Sequence, residues 1–183
     1  MPFYHKLGKI PHKRHTVFSK PEGGIYYEQL FGTVGFEGMS SLLYHTHRPT
    51  MVKDIKGAKD ISPKIAIEKN LKSLSLKGFD VKSKVDYLES RIAILINNDC
   101  HISLAAPKKS MSNYFYKNAD CDEMVFVHKG TGTLRTIVGN IKYGPGDYLI
   151  IPRGMIHAFQ FELEDNRFFI VESMSPMYTP KRY

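Results

Sequence analysis

The 183-residue sequence predicts a mainly β fold built from antiparallel strands. Three observations lead there. From residue 123 onward, strand-like runs are separated by the turn clusters "KGTG", "VGN", "YGPGD", "PRG" and "LEDNR". Their spacing of about 8–12 residues is that of a sandwich or barrel. Upstream, "YLESRIAILINNDCHISLAAP" holds two short apolar runs split by Asn97-Asn98-Asp99, a turn composition. Near the N-terminus, "GIYYEQLFG" is aromatic, part polar and bounded by glycines, as strands often are.

Taken in order, Gly24–Gly32 is the first expected strand, and Ser40–His47 ("SSLLYHTH") the second, stopped by Pro49. The segment "DISPKIAIEKNLKSLSLKGF" is ambiguous, because Pro63 could open a short helix. Within it, "LKSLSLKG" favours a strand: Leu71, Ser73, Ser75 and Lys77 fall on one face, and Lys72, Leu74 and Leu76 on the other. Residues 86–172 carry the regular strand-and-turn pattern. The tail "SPMYTPKRY" contains Pro176 and Pro180, is basic, and has little to bury, so it reads as a linker or terminal arm.

Composition narrows the function classes. Hydrophobic residues make up 42% and charged residues 24%, ordinary for a globular protein. No apolar run approaches the roughly 18 residues of a membrane span, and the N-terminus lacks the apolar core of a secretion signal. The two cysteines, Cys100 and Cys121, are therefore expected reduced, in a cytoplasmic protein. Neither has the context of a thiol nucleophile, and structural burial is the expected role. The formal charge of +8 is uneven: residues 1–24 carry Lys6, Lys9, Lys13, Arg14 and Lys20 against Glu22. A basic arm of this kind can bind nucleic acid, but no zinc-finger or RNA-binding signature accompanies it, so a solvated or subunit-contacting arm is the expectation. His5, His12 and His15 fit no zinc spacing. "KGTGTLRT" lacks the Lys-Ser/Thr of a phosphate loop and reads as a hairpin turn.

One motif stands out. Gly146, Pro152, Gly154 and His157 match the spacing of the second signature of small β-barrels of the cupin type: Gly, five residues, Pro, one residue, Gly, two residues, His. Gly146 turns the chain into a strand, and Pro152 with Gly154 makes a tight corner that aims His157 back along the barrel. The first signature has two histidines one residue apart, three or four residues, Glu, six residues, Gly. Glu123 and Gly130 are present, but the histidine positions hold Lys117 and Ala119 or, with the longer gap, Tyr116 and Asn118. A non-haem iron site uses two histidines and a carboxylate. Here only Glu123 and His157 remain as degenerate ligand positions. His128 should point to the opposite face from Glu123, His101 on a neighbouring strand stays open, and the literal H-x-H of His45 and His47 has no glutamate at the right distance. The plainer expectation is a hydrogen-bonded His157 in a barrel mouth, which pairing with Glu123 would shift upward in pKa. The aromatics Phe115, Tyr116, Phe126, Phe159, Phe161, Phe168 and Phe169 are expected in the core.

The stretches "YHKLGKIPHKRHTVF", "YYEQLFGTVGFEGMSSLLYHTHRPT" and "FYKNADCDEMVFVHKGTGTLRTIVGNIKYGPGDYLIIPRGMIHAF" together resemble the N-terminal half of bacterial homogentisate 1,2-dioxygenases. The resemblance covers the whole chain and is most specific from Phe115 to His157. It implies a cupin-type antiparallel barrel or jelly roll with few short helices. It further implies an arm and β-rich extension over 1–85 packing on a barrel over 86–172, and a linker over 173–183 toward a second cupin half. The implied activity is opening of the homogentisate ring by dioxygen at a non-haem Fe(II), giving maleylacetoacetate, in cytoplasmic tyrosine and phenylalanine breakdown. The implied iron ligands belong to the second half, so no cofactor is expected in this chain, whose partners would be that second half and further copies of the subunit. The alternative is a free-standing cupin with a degenerate metal site, serving small-molecule binding or oligomerisation.

Overall fold

The computed structural model describes residues 17–67, 69–70 and 72–182. The basic residues and histidines singled out before residue 17 lie outside them. The chain divides into two compact units, Met1–Asp60 and Ile61–Tyr183.

In the first unit, β1 (Tyr27–Val34) pairs antiparallel with β2 (Glu37–His45), with Tyr27 opposite His45. Gly35, at φ 60°, takes the turn between them. Across the ladder, the Tyr44 hydroxyl donates to Glu28 at 3.0 Å, and His45 Nε2 lies 2.8 Å from Gln29 Oε1. His45 is thus used in cross-strand pairing rather than with His47.

In the second unit, the expected strand over 71–77 does not form. Leu71 lies outside the described residues, and 72–77 have neither strand nor helix, with Leu74 and Leu76 exposed. Alternation supplied one apolar side, but no neighbouring strand among the described residues completes the ladder there. A single 3-10 turn, Gly78–Asp80, follows.

The remaining strands build two sheets. The larger holds β3 (Ile92–Ile96), β4 (Cys100–Ala105), β10 (Arg167–Ser173), β5 (Asp122–Lys129) and β8 (Tyr148–Ile151), in the order β3-β4-β10-β5-β8. The smaller is β7 (Gly139–Tyr143), β6 (Gly132–Thr136) and β9 (His157–Phe161), in the order β7-β6-β9. Every pairing is antiparallel. This is a mainly β, cupin-type jelly roll.

The turns work as their residues require. Asn97 Oδ1 accepts the backbone N–H groups of Asp99 and Cys100, closing the β3–β4 hairpin. Gly130, at φ 105°, sits so close to Asn166 that a Cβ there would overlap its side-chain oxygen. The core consists of alternate residues from both sheets: Val125, Val127, Phe168, Ile170 and Leu149 from one, and Leu134, Tyr143 and Phe159 from the other. Tyr87 completes it, its ring 4.5 Å from that of Phe159.

Strand alternation corrects the expected core. Phe159 and Phe168 are buried, but Phe169, Phe126 and Phe115 are not. Phe169 follows Phe168 by one residue and so faces outward, as does Phe126 between Val125 and Val127. On that outer face, Ile92, Leu104, Phe169, Phe126 and Tyr148 form a continuous cross-strand row. Among the described residues, no helix is long and apolar enough to cross a membrane.

Candidate functional site

The Gly146–His157 corner forms as the spacing predicts. Gly146 (φ 95°) and Gly154 (φ 80°) both adopt left-handed backbone conformations. Gly146 N donates to Val127 O at 2.8 Å, and Gly154 N to Asn118 O at 2.7 Å. Met155 N closes the bend onto Pro152 O at 3.1 Å. Arg153, between them, is held by the buried Asp122, whose Oδ1 accepts its backbone N at 3.0 Å and its Nε at 3.2 Å. The other oxygen of Asp122 accepts Met177 N at 2.8 Å, so the corner also ties down the start of the tail.

The corner delivers His157 to a fully buried position, not to an open mouth. Its Nδ1 lies 3.0 Å from Met155 O. A carbonyl only accepts, so Nδ1 carries the proton and Nε2 presents a lone pair. Nε2 stands 3.9 Å from Glu123 Oε2, too far for a hydrogen bond. Burial lowers the His157 pKa from its ordinary 6.5, and this outweighs the upward pulls of the Met155 carbonyl and of Glu123.

Glu123 is equally buried, and its partner is a residue that the sequence reading missed. Arg91 Nη1 donates to Glu123 Oε1 at 2.6 Å, and Arg91 Nη2 lies 2.8 Å from Glu172 Oε2. The second contact is an ion pair without hydrogen-bond alignment. Glu172 is directly opposite Glu123 in the β10–β5 register, so one guanidinium spans two carboxylates on adjacent strands. Burial acts to lower the Arg91 pKa, but the acidic groups around it, Tyr87, Glu123 and Glu172, carry it upward, so it stays charged.

Local structure aims Arg91 there. Asp86 Oδ1 accepts the backbone N–H groups of Leu88 and Glu89, and Asp86 O accepts Ser90 N. This turn buries Tyr87 and Ser90 and releases Arg91 into the barrel at the head of β3. The sequence signal was a single arginine at the front of the apolar run "RIAILI". Nothing in the local pattern says whether such a residue points in or out.

Of the two spacings open for the first signature, the structure selects the longer. Tyr116 and Asn118 turn toward Glu123, whereas Lys117 and Ala119 are exposed. Tyr116 donates to Glu123 Oε1 at 3.3 Å, and Asn118 Nδ2 reaches Glu123 Oε1 at 3.2 Å and Glu172 Oε1 at 2.8 Å. Tyr116 is also bridged to His157 by a reciprocal pair of backbone hydrogen bonds, each 2.9 Å. His128 faces outward beneath Phe79, the rings 4.6 Å apart. His101 lies opposite Glu172 and so shares the inner row with Glu123, but Arg91 has taken both carboxylates. Cys121 is buried, and burial, more than its acidic neighbours Glu172 and Asp120, pushes its thiol up to about 11, unlike a nucleophile.

These donors do not fit a divalent iron. A neutral imidazole and a carboxylate remain, but an obligate cation occupies the carboxylate, and a tyrosine and an amide stand where two imidazoles are needed. Among the described residues, no group of three histidine, cysteine, aspartate or glutamate side chains is arranged to hold a metal ion.

The family model for the homogentisate 1,2-dioxygenase N-terminal region matches residues 8–181. The chain belongs to this family. Over its full 183 residues it is 34% identical to a Saccharolobus solfataricus protein named "Putative dioxygenase", of which it covers 47%. The chain thus spans about half the length of that relative. Solved structures similar to it include a cupin-2 domain protein from Shewanella frigidimarina, 26% identical over 46% of this chain and 79% of that one, with a TM-score of 0.40. Another is a cupin superfamily protein from Desulfitobacterium hafniense, 18% identical over 46% of this chain and 76% of that one, with a TM-score of 0.41. In this member of the homogentisate 1,2-dioxygenase N-terminal family, the corner stands over an interior in which Arg91 pairs with Glu123 and Glu172.

Proposed function

We propose that this chain is the non-iron half of an Fe(II)- and dioxygen-dependent enzyme that opens the ring of homogentisate to maleylacetoacetate in cytoplasmic tyrosine and phenylalanine breakdown. The observation that carries this reading is the Arg91 bridge between Glu123 and Glu172, in a chain whose family is the N-terminal part of such dioxygenases. A barrel filled by an arginine has no open coordination position for a substrate or dioxygen, so the chemistry is assigned to the other half. The role of this half is to scaffold that site and to form subunit contacts in a homo-oligomer. The outer face of the five-stranded sheet supports the scaffold role: Tyr148 is 63% exposed, Ile150 49% and Phe169 37%, and a patch of that kind marks a contact surface. We assign it to the second half.

The test is dioxygen uptake in the presence of Fe(II) and homogentisate. It is measured for this chain alone and for the chain joined to the C-terminal half of a homogentisate 1,2-dioxygenase. Uptake is expected only from the joined protein. Homogentisate-dependent uptake by this chain alone would overturn the assignment.

A further inference from the structure

The outward side of the five-stranded sheet carries a cavity of about 260 Å³. Leu104 on β4, Phe169 on β10 and Phe126 on β5 form its floor, and Phe79, in the 3-10 turn Gly78–Asp80, its roof. The roof is fixed at two points. Gly78 lies so near Leu104 that a Cβ there would stand 2.9 Å from a Leu104 methyl. Just beyond the turn, Val81 O accepts a hydrogen bond from Arg167 Nη1. The cavity is therefore preformed in the folded chain. Two polar side chains, His128 and Arg167, share its wall. The His128 ring crosses those of Phe79 and Phe126 at 69° and 70°, with centroids 4.6 and 6.2 Å away. Arg167 Nε donates to Asp165 Oδ1 at 3.1 Å, and Lys129 Nζ donates to the other oxygen of Asp165 at 2.6 Å. One carboxylate thus serves two cations. Arg167 Nη2 is left with no hydrogen-bond partner among the described residues.

We propose that this cavity binds a small apolar monocarboxylate, its hydrocarbon body among Phe79, Phe126 and Phe169 and its carboxylate on Arg167. Volume sets the size of the body. An apolar cavity of ~150 Å³ takes a benzene, and a drug-sized ligand needs roughly 300 Å³ or more. The volume here falls between the two, room for a short chain or a single ring. The lining sets its polarity. Beyond His128 and Arg167 every lining residue is apolar, so hydroxyl groups on the body would go unpaired. Charge sets the head group. The unused edge of a guanidinium matches a carboxylate in sign and in geometry. A neutral ligand would forgo that pairing, and an ammonium would meet the two cations that share Asp165. Phe126 and His128 face away from Glu123 along β5, so the cavity is separate from the Arg91 network. It borders the contact face assigned to the second half, and Phe169 belongs to both, so the joined protein is part of the test. The inference does not depend on which reaction the joined enzyme performs.

The experiment is calorimetric titration of the full chain with octanoate, 1-octanol and octylammonium as probes. Octanoate is expected to fill one site with a Kd at or below about 1 mM, in line with a ligand of its size. The alcohol and the ammonium should each bind on the order of 10-fold or more weakly, since neither brings a negative charge to Arg167. Arg167→Gln should weaken octanoate by about the same factor and leave 1-octanol unchanged. A merely structural role would weaken both alike. Arg167→Lys, which keeps the charge, should retain most of the octanoate affinity. Val81→Trp, which adds bulk to the wall, should abolish binding of either probe. If Arg167→Gln does not fold, the wild-type comparison of octanoate with 1-octanol, together with Val81→Trp, decides. No saturable binding, equal affinity for octanoate and 1-octanol, or binding that survives Val81→Trp overturns the proposal. The joined protein should keep the octanoate site. Its loss there would make the cavity part of the contact between the halves and would likewise overturn the proposal.

Discussion

The two sides of β5 obey opposite rules. Facing inward are Glu123, Val125 and Val127, all fully buried. Facing outward are Met124, Phe126 and His128, among which His128 is exposed and Phe126 half-buried. A carboxylate is thus sealed inside while a phenylalanine is left at the surface. The reason is the company each side chain keeps. Glu123 Oε1 accepts from Arg91, Tyr116 and Asn118, which together replace the water that this oxygen lost. Phe126 packs on the outward Tyr148, 4.7 Å between ring centroids, and shares an apolar cavity with Phe79 and Phe169, a covering that leaves it half-buried. Burial here is decided by partners, not by polarity.

This contrast can be broken most strongly from the inside. Phe168 packs against Phe159, Tyr87 and Tyr143 with centroids 5.6, 6.3 and 6.1 Å away. Phe168→Ala should cost about 3–5 kcal/mol in urea denaturation, because the sandwich cannot collapse onto the space left behind. Phe169→Ala, one residue along and outward, should cost much less, and equal costs would show that the outer face is as well packed as the core.

A smaller effect is expected from pH. The folded-state pKa of His157 lies below its ordinary 6.5, so the unfolded chain binds the proton more readily. Stability contributed by the neutral, buried ring is then complete above about pH 6.5 and is lost as pH falls toward the folded pKa. His157→Gln should flatten the pH dependence of urea stability in that acid window. An unchanged slope would mean that another group governs it.

The smallest effect on folding, and the sharpest on function, is expected outside. Tyr148→Lys should change the stability of this chain by no more than about 0.5 kcal/mol, the usual range for surface substitutions. It should nevertheless weaken association with the second half, measured by copurification of the separately produced halves. Undiminished association would remove the outer face from the proposed contact.

Much of the barrel was legible because turns and corners are local. Asn97-Asn98-Asp99, "VGN" and the Gly146–Gly154 spacing each need particular backbone angles or side-chain acceptors within a few residues, and those needs fix the residue types. Strand alternation was legible too, and it placed His128 away from Glu123. It misleads where apolar residues alternate without a neighbouring strand, as over 72–77, and aromatic character alone does not say which face Phe115, Phe126 or Phe169 occupies.

The sequence by itself determined that His157 and Glu123 would arrive by way of a cupin corner and a facing strand, and that two histidines were missing beside them. Only the tertiary structure decided what fills their place. Arg91 is 32 residues from Glu123 and 81 from Glu172, counting along the chain (123 − 91 and 172 − 91). Their meeting depends on the order β3-β4-β10-β5 and on the register that sets Glu172 against Glu123. No local pattern encodes that encounter, because a charge becomes a partner only when folding removes the water between it and its opposite.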